Sequence, residues 1–419
     1  MRRLLASLTT AAIALAACST GPPADDDDTL RVGAVYPLSG SQGSGGRDEH
    51  RGVLLAAHLV NADGGVGGTS IEVVSTDVPA AEAAAGTVEG LHSDGIEVVL
   101  GSYGSTISSP ASATAADNDM LFWETGAVGM LTARSRPGER TFRMPPTGAV
   151  LGRNAISFVN GPLAEAFGRD PRELRYAVSF VDDVYGRAVA AGALQAAADL
   201  DLDVVGRFGY DFQTVDYDAL ARSIDRSGAD VLFVSAYLVD AVELRRALVR
   251  NDVDLLAGIG TSSSYCMPEF GAALGDGAVG LFASDKPSGD AIDPSTLRPE
   301  GAELLERARA AYDERWGEEM SPAALAGFSA AWALFADVMP AAAELTPDGI
   351  AEAALAVDLP AGSLPNGSGL RFGEPGTATA GDNVAAAAVI WEWLVPGEHM
   401  VVWPPELATH RVRPVDIAP

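Results

Sequence analysis

Lysine occurs once in this 419-residue chain, at Lys286, and Lys and Arg together number 28 against 57 acidic residues. The formal net charge is −29. Such a balance excludes a nucleic-acid partner, because that binding depends on Lys and Arg neutralising phosphates. It also excludes a polybasic patch for anionic lipid. Taken alone, the charge favours solubility. The solitary lysine, set among abundant alanine, reads as the codon bias of a GC-rich genome. Cysteine occurs twice, at Cys18 and Cys266, too few for a disulfide framework. The histidines are His50, His58, His92, His399 and His410, and their spacing matches no metal site. Surface positions are expected for them. Walker A, HExxH and GxSxG motifs are absent. GDGAVG at 275–280 has GxGxxG spacing, but it follows a helix-like stretch and leads into a strand, the reverse of a dinucleotide site. No catalytic residues, cofactor or metal are expected.

The N-terminus is distinctive. Arg2 and Arg3 precede an apolar run over 4–17 that ends in Leu15-Ala16-Ala17-Cys18. The run is shorter than the roughly 20 residues that span a bilayer. A basic start, an apolar middle and small residues before a boundary make a secretory signal. The last four residues resemble the bacterial lipobox, which implies cleavage after residue 17 and lipid on Cys18. Residues 18–29, STGPPADDDDT after the cysteine, have no apolar periodicity and read as a disordered acidic tether. The four aspartates lack the alternating spacers and glycine of a calcium loop. With Cys18 lipidated, Cys266 has no partner and is expected to be a buried or incidental thiol.

Beyond the tether, short apolar runs alternate with alanine-rich amphipathic stretches. Strands are expected at 30–35, 71–75, 96–101 and 120–123, with helices near 52–61 and 80–93 and a glycine-rich loop over 41–46. The pattern restarts after 142–146. Strands at 175–180, 203–208, 230–234 and 255–259 alternate with helices near 186–199, 217–227 and 239–250. Helices at 299–316 and 322–339 complete one or both units. Strand–helix alternation of this kind predicts an α/β fold with parallel sheets flanked by helices.

Four stretches carry a family resemblance: VGAVYPLSG at 32–40, AHLVNADGG at 57–65, DVYG at 183–186 and GEHMVVWPP at 397–405. In order and spacing the chain resembles the type I periplasmic-binding-protein fold. Its nearest branch looks like the extracytoplasmic receptors of branched-chain amino acid, urea and amide ABC importers. The resemblance implies two Rossmann-like lobes joined by three crossover strands, near 141–145, 279–284 and 360–372. Residues 30–142 and 282–366 would form the N-terminal lobe, 143–281 and 367–419 the C-terminal lobe. Ligand would bind between them, at the carboxyl ends of the strands.

The resemblance also nominates cleft residues. The loop GSYGSTISSP at 101–110 should open a helix, whose free N–H groups suit a carboxylate. Ser105 falls where relatives offer a hydroxyl to that group, and Thr106 adds another; simple N-capping is the alternative. In WETGAVG at 123–129, Ala127 can give a carbonyl, while Val128 stands at a hydroxyl position. Glu124 stands where a small residue is usual, and should face water, an internal Arg or the ligand. Trp123 is cleft wall or core. Tyr185 and Tyr237 align with aromatics that close over the solute, with Asp183 as a weaker candidate. Gly260 lies in GIGTSSS at 258–264, where amino-acid receptors carry an acid for the ammonium and this chain has none. Either Glu124 replaces it or the ligand is not an ordinary aliphatic amino acid, and the latter is favoured. The expected function is a lipid-anchored receptor at the extracytoplasmic membrane face, serving ABC permease subunits. The alternatives are a ligand-sensing module of the same fold, or a secreted lipoprotein enzyme, for which no catalytic constellation is found.

Overall fold

The computed structural model describes residues 29–131, 140–287, 292–413, 415 and 417. Cys18 and nearly all of the tether lie outside the described residues. Among the described residues, twelve strands fall into two sheets. The first contains β1 (Thr29–Tyr36), β2 (Ser70–Asp77), β3 (Val98–Gly101), β4 (Leu121–Glu124) and β5 (Thr141–Arg143), in the order β2-β1-β3-β4-β5 and parallel throughout. The second contains β6 (Arg175–Val181), β7 (Asp203–Tyr210), β8 (Val231–Ser235), β9 (Ala257–Thr261) and β10 (Phe282–Asp285), in the order β7-β6-β8-β9-β10, with β11 (Val389–Val395) and β12 (Glu398–Trp403) added antiparallel at the β10 edge. The two sheets thus share one strand order. Each reverses direction beside its first strand, and crevices in open α/β sheets form at that switch point.

Helices cover both sheets. The first lobe has α1 (Gly43–Ala62), α2 (Ala81–Ser93) and α3 (Ser105–Asp117). The second has α4 (Gly148–Phe158), which runs through a π-turn at Val159–Leu163 into α5 (Ala164–Ala166), then α6 (Val184–Asp199), α7 (Tyr217–Ser227), α8 (Leu238–Arg250) and α9 (Pro268–Leu274). The chain then returns with α10 (Pro299–Trp316), α11 (Pro322–Trp332) and α12 (Pro347–Ala356). Central strands such as β3 and β8 are buried along their whole length, whereas the edge strand β2 alternates. That is the pattern of sheets covered on both faces. Pro322–Ala341 is apolar enough by composition to cross a membrane, but 78% of that stretch is buried inside the fold, packed in the first-lobe core.

The glycines at 43–46 open α1 instead of forming the expected loop. A Cβ on Gly45 would run into the Tyr103 ring, and one on Gly46 into the Pro37 carbonyl. Close approach, not flexibility, explains their presence. Two lobe boundaries also move. β10 pairs with β9 and β11, so 282–285 belong to the second lobe and the chain crosses only after Asp285. Leu370 and Phe372 lie in the first-lobe core, where Phe372 packs edge-on against Trp123 and Phe142. The third crossing therefore comes after them, near 384–388.

Asn383 ties the first and third crossings together. Its backbone N–H donates to Arg143 O at 2.9 Å, and its side-chain amide donates to Gly369 O at 3.0 Å and Met144 O at 3.4 Å. Its side-chain oxygen accepts from Arg371 N and Ala385 N, both at 3.1 Å. Buried Arg143 lies 3.5 Å from Asp382 on the same seam.

Candidate functional site

Strands that end together place their following loops together. The loops after β3, β4, β6, β8, β9 and β10, with α1 and the start of α11, line a cavity between the lobes with an empty volume of about 600 Å³. Ser44 Oγ donates to Glu269 Oε1 across the mouth at 2.9 Å, and Tyr103 OH reaches Met267 Sδ at 3.9 Å.

Ser105 lines the cavity as the first residue of α3. It is not a side-chain cap; its Oγ accepts from Gly129 N at 2.9 Å, which leaves the hydroxyl proton free to donate. Thr106 faces elsewhere and accepts from Gln42 Nε2 at 3.2 Å. Val128 presents its side chain to the cavity, while its carbonyl accepts from Gly148 N at 2.6 Å and Arg143 Nη1 at 3.3 Å. Tyr185 and Tyr237 form a second-lobe wall with ring centroids 5.4 Å apart. The Tyr185 hydroxyl bonds Ser262 O and Thr261 Oγ1, and burial pushes its pKa well up. The Tyr237 hydroxyl donates to Asp183 Oδ2 at 2.7 Å. Asp183 is thereby occupied, since its other oxygen caps α6 through Gly186 N.

Glu124 does not line the cavity. It is fully buried, and one carboxylate oxygen accepts from Ser102 N, Gly126 N and Ala127 N at 3.1, 2.9 and 2.7 Å. Burial raises its pKa despite those bonds. It shapes the loops after β3 and β4 from behind. Ala127 is buried among the same contacts and Trp123 is core, its indole donating to Ala330 O at 2.9 Å. Gly260 is buried within β9 because a side chain there would strike Tyr265; Ser262 and Ser263, just beyond the strand, reach the cavity instead.

Several lining groups escaped sequence reasoning. Asp285 and Lys286 stand at the end of β10, on the second crossing, and are 2% and 6% exposed. Lys286 Nζ donates to Gly126 O at 3.1 Å. Ser262 Oγ donates to Asp285. Cys266 also lines the cavity, its thiol pushed up by burial and by Asp285. Behind Gly126 sits Glu49, fully buried, accepting from Thr125 Oγ1 at 2.7 Å, with Tyr36 OH 2.6 Å from that same hydroxyl. Burial pushes Glu49 up to about 7. The signal for Lys286 was its being the single lysine, beside a crossover that must end at the cleft. His50 and His399 are buried, against expectation: His50 bonds Ser75 Oγ at 2.7 Å, and His399 stacks on Trp391.

Residues 29–387 match the family model described as periplasmic binding protein. A Leu/Ile/Val-binding protein homolog 8 from Brucella abortus is 28% identical over 92% of this chain and 93% of its own length. Among solved structures, the isoleucine complex of the Streptococcus pneumoniae branched-chain amino acid transporter substrate-binding protein LivJ aligns with a TM-score of 0.70 at 19% identity, covering 90% of this chain and 100% of that one. A fatty acid ABC transporter substrate-binding protein from Thermomonospora curvata aligns with a TM-score of 0.71 at 16% identity, covering 92% and 95%. With two like-ordered sheets flanking a shared cavity, the chain belongs to the periplasmic binding protein family.

Proposed function

We propose that this protein is a lipid-anchored receptor that holds one small polar solute, in the size range of amino acids, amides and urea, between its lobes and presents it to the permease subunits of an ABC importer. The observation that carries this reading is the interlobe cavity, whose lining alternates between the two lobes. Hinge closure around a solute accounts for the contacts across its mouth. Ser105, Val128, Tyr185 and Tyr237 are the contact residues we assign; Thr106, Glu124, Ala127 and Gly260 support the loops that carry them. The relatives support the class: one is named for leucine, isoleucine and valine, one holds isoleucine, and one is named for fatty acids. All of these are carboxylates.

Thermal unfolding with a panel of amino acids, amides, urea and organic acids tests the receptor reading. A ligand at a hundred times its Kd adds about 2.7 kcal/mol of stability. A panel that moves the Tm nowhere overturns the reading. Mass spectrometry of the molecule released on denaturation identifies a co-purified solute. The lipid is tested separately: labelled fatty acid should enter the chain in cells, and Cys18→Ala should abolish it.

A further inference from the structure

Among the described residues, four charged ones line the interlobe cavity: Asp48, Glu269, Asp285 and Lys286. Each carboxylate is already met by the protein's own donors. Ser262 donates to Asp285, and the Cys266 thiol faces the same group. Ser44 donates to Glu269 at 2.9 Å. Asp48 is held by Ser321 and by Arg51, at 3.5 Å. Two carbonyls of the β4 loop are also engaged, Gly126 O by Lys286 and Val128 O by Gly148 N. An ammonium group entering the cavity would share each carboxylate with the protein's own donors and would have a like charge, Lys286, beside it.

For an anion the position is reversed. Lys286 is 6% exposed, yet no carboxylate among the described residues lies within 4.0 Å of its Nζ. Glu49, the acid that shares its field, packs against the α-carbon of Gly126, while Lys286 holds that residue's carbonyl. A buried ammonium without a close anion is costly, and an incoming anion offsets that cost. The Ser105 hydroxyl proton is free, and the first N–H groups of α3, at Ser105 and Thr106, have no intrahelical acceptor. Cation, hydroxyl and helix start converge on one cavity.

We propose that Lys286 is the counter-ion of the solute's carboxylate, and that the cleft selects an organic acid without an ammonium group, such as a 2-oxo or 2-hydroxy monocarboxylate, over the amino acid of the same skeleton. This rests on the interlobe cavity being the solute site and names its occupant. The test is calorimetric titration of the chain and of its Lys286→Gln and Lys286→Arg variants with 4-methyl-2-oxopentanoate and with leucine. The unsubstituted chain should bind the oxo acid at least tenfold more tightly than leucine. Lys286→Gln should lose at least tenfold toward the oxo acid, and Lys286→Arg should recover part of it. Tighter binding of leucine overturns the proposal while leaving the receptor reading intact, as does a Lys286→Gln variant with undiminished affinity for the oxo acid. Silence toward the oxo acid, toward leucine and toward the amide and urea panel overturns both. The comparison on the unsubstituted chain decides the matter even if Lys286→Gln does not fold.

Discussion

Tyr237 donates to Asp183 at 2.7 Å, so the residue that begins the α8 turn is fastened to the residue that caps α6. The aromatic wall of the cleft is held by a bond outside the cavity. Tyr237→Phe keeps the ring and should cost about 1 kcal/mol in urea unfolding. Asp183→Ala removes the cap as well and should cost about 2 kcal/mol. Tyr237→Ala should weaken solute binding; an unchanged affinity would remove Tyr237 from the cleft.

Glu124 separates two substitutions that look alike. Glu124→Ala strands three buried N–H donors and should destabilise the protein by about 3–5 kcal/mol. Glu124→Gln can keep an oxygen toward all three donors and should cost far less. Equal losses for the two variants in denaturant unfolding would contradict this account.

Glu49 makes stability depend on pH. Its carboxyl has a reference value of 4.5 and is pushed up to about 7 by burial, with Lys286 and Thr125 opposing and Glu124 adding to the rise. Between those values the folded protein keeps a proton that the unfolded chain has released, so stability falls as pH rises through the window. The total is roughly 3 kcal/mol, and the curve is flat above it. Glu392, also pushed up to about 7, acts in the same sense. His50, held near 4 by burial against 6.5, acts oppositely, removing stability as pH drops below its reference value. Glu49→Gln should therefore gain most above pH 7 and little below 4.5. Urea unfolding at pH 5 and pH 8 checks it, and an equal difference at both refutes it.

Packing of α1 against α11 depends on Gly52, where a Cβ would strike the Ala324 carbonyl and crowd Phe328 N. Gly52→Ala should cost about 1–3 kcal/mol by overpacking. Gly86, inside α2 with open space around it, is the control. Gly86→Ala should stabilise by about 0.5–1 kcal/mol, because it restricts the unfolded chain. Opposite signs in one unfolding series are the expected result.

The alternation of strand and helix was legible because each central strand is a short apolar run that must be covered on both faces. The helix at Tyr217–Ser227 was read to the residue, since its aspartate cap and terminal glycine flank a clear amphipathic stretch. Lobe boundaries were less legible: whether β10 sits in one sheet or the other depends on partners distant in sequence. In the cleft, Ser105, Val128, Tyr185 and Tyr237 were nominated by the family resemblance, and all four line the cavity. Glu124 was not, because an acid that satisfies backbone donors and one that faces solute look the same in sequence. Lys286 was passed over as compositional noise, and its position emerges only once β10 is seen to end in the cavity.

The seam at Asn383 limits how the molecule can move. Two of its three interlobe connections share one side chain's bonds, so the halves cannot pivot independently at those points. Whatever strain opens the cleft must therefore load both crossings at once, as the covers of a book load a common spine.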